Sequence, residues 1–345
     1  MAGTWTGQDK IIPGAYVNIK TNIPLSITPG ERGVAVILQE CSVGTEGDIY
    51  TITATDASQW PAGATDADKL LANEALKCCK TVKVYVLPED HVKADVDDAL
   101  TALETMDFNV ICYPYSTATA QLAIKTWVVA QREDEGKKVQ AVMANYTADS
   151  EACINVTQGV VLANGTSLSA LQVCAWVAGA AAGATIVESI TGKKYEGAVD
   201  VTPRMTKSQM ETALEAGKFI FKVDSAENVT AVYDINSLTT FTPAKSKMFR
   251  KNRVLRTLDG ISTDITTIFE AGYVGKMDNN EEGRAILKGQ LCDYFNSLMT
   301  RGAIADFDAA DVEVEKGVDS DAVVVTCMIR PVDAVEKIYI TVNLA

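Results

Sequence analysis

His91 is the only histidine in the chain and follows Glu89 and Asp90 in the stretch LPEDH. Any Ser-His-Asp relay, Cys-His pair or multi-histidine metal centre would have to be built around this imidazole. The cysteines (Cys41, Cys78, Cys79, Cys112, Cys153, Cys174, Cys292 and Cys327) lie mostly in apolar runs such as VICYP and VVVTCMI, and no CxxC occurs. That pattern fits buried thiols in a reducing compartment, and no leader-like segment opens the chain. The vicinal pair Cys78-Cys79, at the end of an expected helix, reads as packed sulfur rather than a redox couple. Phosphate-binding GxxxxGK[ST], nucleophile-elbow GxSxG, zinc-binding HExxH and a spaced aspartate series for calcium are all missing. Paired carboxylates in REDEG (132–136) and VDDAL (96–100) sit at helix ends and faces, where charge runs are normally solvated. The sequence therefore predicts no catalytic residue, no cofactor and no metal.

The elements that would have positioned such residues are clear. With 345 residues and 47% hydrophobic side chains, two domains with proper cores are expected. A formal charge of −14 argues against nucleic acid and anionic membranes as partners. The uncharged stretch 168–187, LSALQVCAWVAGAAAGATIV, is long enough to cross a bilayer but too rich in Ala and Gly to insert well. It reads as a buried helix whose Gly179 and Gly183 allow close packing, and no Gly-rich turn leads into it as a dinucleotide site requires. From Gly33 the chain alternates: strand GVAVILQE, helix from Asp66, strand TVKVYVLP, helix 93–106, strand FNVICYP, helix 117–135, strand KKVQAVMA. Alternation at this spacing predicts crossover units and a largely parallel, buried sheet. Ligands of such sheets bind at the carboxyl ends of strands. Here those ends, LPEDH, YPYST and ANYTADS, are chemically thin.

The chain's ends are more informative. In the last sixteen residues, RPVDAVEKIYITVNLA, Glu336, Ile338, Ile340, Val342 and Leu344 alternate with Lys337, Tyr339, Thr341 and Asn343. Pro331 stiffens the approach to this strand, and eleven extended residues from Val335 reach roughly 36 Å at about 3.3 Å each. Near the start, Ala15, Val17 and Ile19 alternate with Tyr16, Asn18 and Lys20 after Pro13-Gly14, ahead of a linker punctuated by Pro24, Pro29 and Gly30. Terminal strands usually dock at home; together, these two suggest exported arms. Between them lies a basic run, Lys245, Lys247, Arg250, Lys251, Arg253 and Arg256, that reads either as a steering patch or as a solvated helix start pairing with Asp259 and Asp264. An amphipathic helix from Leu255 to about Gly272 follows. A second runs from Asn280 as N-cap to Arg301, with Ile286, Leu287, Leu291, Tyr294, Phe295 and Leu298 as its apolar stripe. DVEVE and DAVVVTCMI then supply strands leading into the terminal arm.

From Met248 onward, the LD, GK-x-x-N (Gly275, Lys276, Asn279), GAI and PVDA-x-E-K elements recur in an order that resembles the C-terminal domain of contractile phage tail sheath proteins, of the short type found in Gram-positive myophages and R-type bacteriocin particles. PGAY near the start resembles that family's N-terminal strand, and AWVAGAAAGATIVESITGKKYEGAVDV its middle, so the resemblance spans nearly the whole chain. It implies an α/β fold, α+β overall, divided as an N-terminal arm (1–22), an alternating sheet domain (23–200), a C-terminal mixed sheath domain (201–329) and a C-terminal arm (330–345). It further implies a non-enzymatic subunit that polymerises helically around a tail tube and contracts to drive the tube through a target envelope. Partners would be copies of itself, the tail tube protein, and baseplate and terminator proteins, with no nucleic acid and no membrane insertion. The location would be a virion tail or phage-tail-like particle assembled in the bacterial cytoplasm. On this resemblance the arms (Ala15, Tyr16, Val17, Ile19; Ile338, Ile340, Val342, Leu344) add strands to neighbouring subunits and Pro24, Pro29, Gly30 and Pro331 are hinges. The tube is met by the helix bearing Glu282, Arg284 and Lys288, or by Lys247, Arg250, Lys251 and Arg253. Room for outer insertion domains is lacking. Another self-assembling shell, or a small-molecule-binding α/β enzyme, are the competing readings.

Overall fold

In the computed structural model of the protein, residues 32–53 and 59–342 are described. The expected arm and hinge residues Ala15, Tyr16, Val17, Ile19, Pro24, Pro29, Gly30 and Leu344 lie outside them.

A strand that is apolar on both faces must be covered on both, and GVAVILQE is such a strand. It forms β1 (Val34–Glu40), followed by β2 (Ile49–Thr53), α1 (Asp66–Leu76), β3 (Thr81–Leu87), α2 (Lys93–Leu103), β4 (Val110–Tyr113), α3 (Ala118–Glu133), β5 (Gln140–Ala144) and β6 (Cys153–Val156). Next come β7 (Gly159–Leu162), β8 (Ser167–Leu168), α4 (Ala170–Gly183), β9 (Ala198–Thr202), α5 (Lys207–Glu215), β10 (Lys218–Phe219), β11 (Phe221–Val223) and β12 (Val229–Ala231). The main sheet has the order β10-β6-β5-β4-β1-β3-β2. Its pairings are parallel except that of β2 with β3 at one edge, as the alternation predicts. Because β10 pairs with β6 at the other edge, the sheet extends past residue 200, where the sequence suggests a division.

Successive side chains of a strand face opposite sides, so each strand feeds two cores. Ala35 and Ile37 join Val82, Val84, Cys112 and Val142 beneath α1 and α4, whereas Val36 and Leu38 join Leu87, Ile111, Tyr113 and Met143 beneath α2 and α3. α4 is buried nearly all round, as its composition predicts, and starts with a reciprocal cap between Ser169 and Gln172. Its Gly179 and Gly183 rest on the backbone carbonyls of Ala75 and Cys78 at the end of α1. α1 starts at a cap of unusual density. The buried carboxylate of Asp68 accepts from the backbone N–H groups of Ser42 and Thr65 at 2.7 and 2.8 Å and from both hydroxyls at 2.6 Å. Burial works to raise its pKa, but these donors outweigh burial and hold it at about 2. Since the unfolded value is about 3.9, this stabilisation is present above that value and is lost as pH falls through the folded one. The gap in unfolding free energy between wild type and Asp68→Asn is expected to be about 2 kcal/mol at neutral pH and to close toward pH 2. Urea titrations across pH 2–7 read it.

Beyond residue 240 the chain forms α6 (Asn252–Ile268), one π turn (Phe269–Tyr273), α7 (Glu281–Thr300), β13 (Ile304–Ala305), β14 (Val312–Lys316), β15 (Val323–Cys327) and β16 (Arg330–Pro331). Asn280 caps α7 by accepting from Gly283 N–H at 2.7 Å. Leu287, Leu291, Tyr294, Phe295 and Leu298 form a third core with Ile261, Ile304 and Val312. Ile286 does not join them and is 53% exposed. At about 100° per residue it stands one position off the stripe centred on Leu287 and Leu291, so its apolar character misleads a count by spacing. The GK-x-x-N element has a local cause. Gly275 adopts φ +70°, and the Asn279 amide donates to the carbonyls of Ser320 and Ala322 at 2.9 and 2.8 Å, tying the approach to α7 to the β14–β15 turn.

Candidate inter-subunit interface

At the strand ends the polar side chains bond to one another. His91 Nδ1 lies 2.6 Å from Glu40 Oε1 and its Nε2 2.8 Å from the Tyr113 hydroxyl. The hydroxyl of Tyr115 accepts from Glu40 N–H at 2.7 Å. Tyr113 is fully buried and the His91 side chain is 4% exposed, so the imidazole pegs the end of β1 to that of β4 and has no free nitrogen for a substrate. Among the described residues no cluster of His, Cys, Asp and Glu could hold a metal ion, and no helix is long and apolar enough to cross a membrane. Burial raises the thiol pKa of Cys79 to about 12 and lifts that of Cys112 also, which makes these sulfurs packing atoms. Cys41, Cys78, Cys292 and Cys327 are only half-buried.

Most of the basic run is spent within the chain. Lys245 bridges Glu133 at 3.0 Å and Glu151 at 2.6 Å. Arg250 donates to the carbonyl of Leu214, Lys251 pairs with Asp333 and Glu336, and Arg256, fully buried, pairs with Asp234 at 2.5 Å. Arg253 is half-buried, and of the four tube-facing candidates in this run only Lys247 is exposed. Asp259 does not pair locally as the sequence suggests. It receives a two-pronged bond from Arg132 on α3, at 2.9 and 2.6 Å, with side chains 8% and 5% exposed. Burial depresses the Arg132 pKa, but the Asp259 carboxylate more than offsets this and raises it. The sequence signal for this seam is that Arg256 and Asp259 interrupt the apolar spacing of Leu255, Leu258 and Ile261; the partners, 127 residues apart, are invisible to periodicity.

The terminal segment leaves the body with its apolar side chains uncovered. Ile338, Ile340 and Val342 are 74%, 79% and 81% exposed and, among the described residues, pair with no strand. Pro331, an expected hinge, is held in β16 opposite Ile304 of β13. Beside this exit stands the β14–β15 hairpin, a two-stranded antiparallel sheet whose strands have, among the described residues, an unpaired outer edge each. One face packs toward α7 through Val312, Val314, Val323, Val325 and Cys327, of which only Val312 is fully buried. The other face shows Glu313, Glu315, Val324 and Thr326 to solvent. On α7, Glu282 is exposed, and Arg284 and Lys288 are half-buried on the helix's outer flank; Arg284 donates to Asn279 Oδ1 at 3.1 Å.

Comparison with known proteins matches most of the described chain to a single family. Residues 91–237 match the phage tail sheath protein central domain, 244–345 the phage tail sheath C-terminal domain, and 32–87 the N-terminal region of domain III of the tail sheath protein Gp18. The chain is 37% identical over 262 residues to the phage-like element PBSX protein XkdK of Bacillus subtilis, an alignment that takes in 73% of this chain and 56% of that protein. It thus spans about half the length of that curated relative. The crystal structure of the sheath tail protein from Desulfitobacterium hafniense superposes with a TM-score of 0.84 at 33% identity, covering 95% of this chain and 99% of that one. The fold is also that of the anti-feeding prophage helical sheath in its contracted state, with a TM-score of 0.77 at 15% identity over 97% of this chain and 99% of that one. With three consecutive sheath domains matched in order and a sheath protein overlaid nearly end to end, the chain belongs to the phage tail sheath protein family.

Proposed function

We propose that this protein is the structural subunit of a contractile sheath, polymerising helically with its own copies around a tail tube in a virion tail or phage-tail-like particle. The observation that carries this is the pairing, in one subunit, of an uncovered alternating segment (Ile338, Ile340, Val342) with a hairpin whose edges are open. Open strand edges and exposed apolar edge segments are normally avoided. Both liabilities vanish when the terminal arm of one copy adds as a strand beside β14 or β15 of the next, its apolar face continuing that of Val323 and Val325. A subunit joined head to tail by a rotation that does not close makes a helical tube. The N-terminal arm, with Ala15, Tyr16, Val17 and Ile19, joins the same mesh, hinged at Pro24, Pro29 and Gly30.

Contraction in this reading is a passage between two lattices that releases stored free energy, with no catalysis and no cofactor. The baseplate starts it and a terminator caps the far end; assembly takes place in the bacterial cytoplasm. The tube is met by α7 through Glu282, Arg284 and Lys288, a choice favoured by the internal use of Arg250 and Lys251. The reading is tested by negative-stain microscopy and tube co-sedimentation of the full-length protein beside a truncation ending at Glu336. The full chain is expected to form sheath-like tubes on its own or on the tail tube, and the truncation to stay dispersed with its melting temperature unchanged. Normal tubes from the truncated chain would remove the arm from the assembly, and failure of the full chain to polymerise even on its tube would end the sheath reading.

A further inference from the structure

We infer that the pivot of the terminal arm lies between Glu336 and Lys337, fixed there by a clamp in which Lys251 grips both Asp333 and Glu336. This deepens the arm reading above. The sequence places the swivel at Pro331, since proline marks a stiff link. The structure instead ties that proline and its successors through Glu336 to the body. Arg330 and Pro331 pair with Ala305 and Ile304, and Val332 N–H donates to the Ala303 carbonyl at 2.9 Å. Side chains carry the attachment further. Asp333 Oδ2 lies 3.1 Å from Lys251 Nζ, and Glu336 reaches Lys251 with one carboxylate oxygen while its other accepts from the Thr191 hydroxyl at 2.6 Å. The Glu336 side chain is 6% exposed, in a segment where Val335 before it and Ile338 after it are largely open to solvent. One acidic side chain is turned inward from an otherwise solvent-facing segment.

Lys251 is itself tied to the body. It is the N-cap of α6, bridges by its backbone to Ile235, and holds its ammonium 4.1 Å above the Tyr233 ring. Burial works to lower its pKa, but the bonds to Glu336, Tyr233 and Asp333 raise it overall, so the cation persists across the physiological range. A partly buried pair is screened much less than a surface pair, so the clamp resists salt. Thr191, in the loop between α4 and β9, brings the central sheet domain into the same grip. Three parts of the subunit therefore set the direction in which the arm leaves, and the free lever begins at Lys337; its described part, Lys337 to Val342, reaches roughly 20 Å when extended. Glu336, which by period stands at the head of the arm's apolar face, acts as its anchor rather than its first packing residue.

The test is backbone ¹⁵N relaxation on the full-length protein at a concentration where it sediments as a monomer. Heteronuclear NOE values are expected to stay at the level of the body through Glu336 and to fall from Lys337 onward. In Lys251→Ala the fall should begin at Asp333. Glu336→Gln and Thr191→Val, which alter less of the body, should give smaller shifts in the same direction, with melting temperatures confirming that each variant is folded. A fall already at Val332 in the wild type, or an unmoved break in all three variants, overturns the clamp. Since no assembly is measured, that result would relocate the pivot without touching the sheath reading, which the truncation decides.

Discussion

Replacing Gly179 with alanine is expected to destabilise the protein by about 3 kcal/mol, against the sign that helix propensity alone gives. Alanine in a helix interior is favoured over glycine by roughly 1 kcal/mol, so a propensity argument predicts a gain. At this position a β-carbon would fall well inside 3.0 Å of the Ala75 carbonyl oxygen, which is backbone and cannot rotate away; Gly183 stands in the same relation to Cys78. α4 is the central helix of the larger core, with Trp176 stacked on Tyr195 at 4.6 Å and Val177 and Ala178 fully buried, so it cannot shift from α1 without opening that core. Gly289 on α7 is the control: nothing lies within 4 Å of a β-carbon there, and Gly289→Ala should raise stability by roughly 0.5–1 kcal/mol. Urea unfolding of the two variants reads both signs. A Gly179→Ala protein as stable as wild type would mean that α1 and α4 do not touch as described.

The sequence makes α4 legible because twenty uncharged residues rich in Ala and Gly have only one economical place in a folded protein, against another backbone. It makes the sheet legible for a related reason, since GVAVILQE and VICYP are apolar nearly throughout and must lie between two layers. Four features escape it, each for a physical reason. The end of the sheet domain is hidden because β10 adds only Lys218 and Phe219 to the sheet, too short for any period to show. Ile286 is hidden by its side chain, because spacing cannot separate the centre of an apolar stripe from its flank. The basic run is hidden by distance: Lys245, Lys251 and Arg256 find acids 112, 85 and 22 residues away, and a cluster of like charges in sequence becomes a set of separate pairs in space. At the C-terminus the alternation marks Ile338, Ile340 and Val342 as one face, and the structure leaves that face exposed; the inward turn of Glu336 is not readable, because the period gives a residue its side and not its partner.

The second large effect is expected at Arg132. Removing the guanidinium in Arg132→Met leaves the Asp259 carboxylate 5% exposed and without its two bonds, and the loss should be about 3–5 kcal/mol. Asp259→Leu should cost a similar amount by stranding the arginine. The double variant is expected to cost far less than the sum and to approach wild type, because a buried pair gains little over apolar groups of similar size even though breaking it is expensive. The distinction matters for mechanism. Arg132 ends α3 of the sheet domain and Asp259 lies in the middle of α6, which carries the third core, so the pair joins the two lobes directly. In the proposed sheath, a lattice that transmits force through its subunits would need lobes that do not slide on each other, and a two-pronged ion pair fixes orientation in a way that apolar packing does not. The single variants should therefore unfold with a broadened or split urea transition as the lobes part, whereas the double variant should keep its stability and regain a single transition. If Arg132→Met loses less than about 1 kcal/mol and unfolds in one sharp step, the lobes are held by α6 packing alone and the pair serves neither stability nor rigidity.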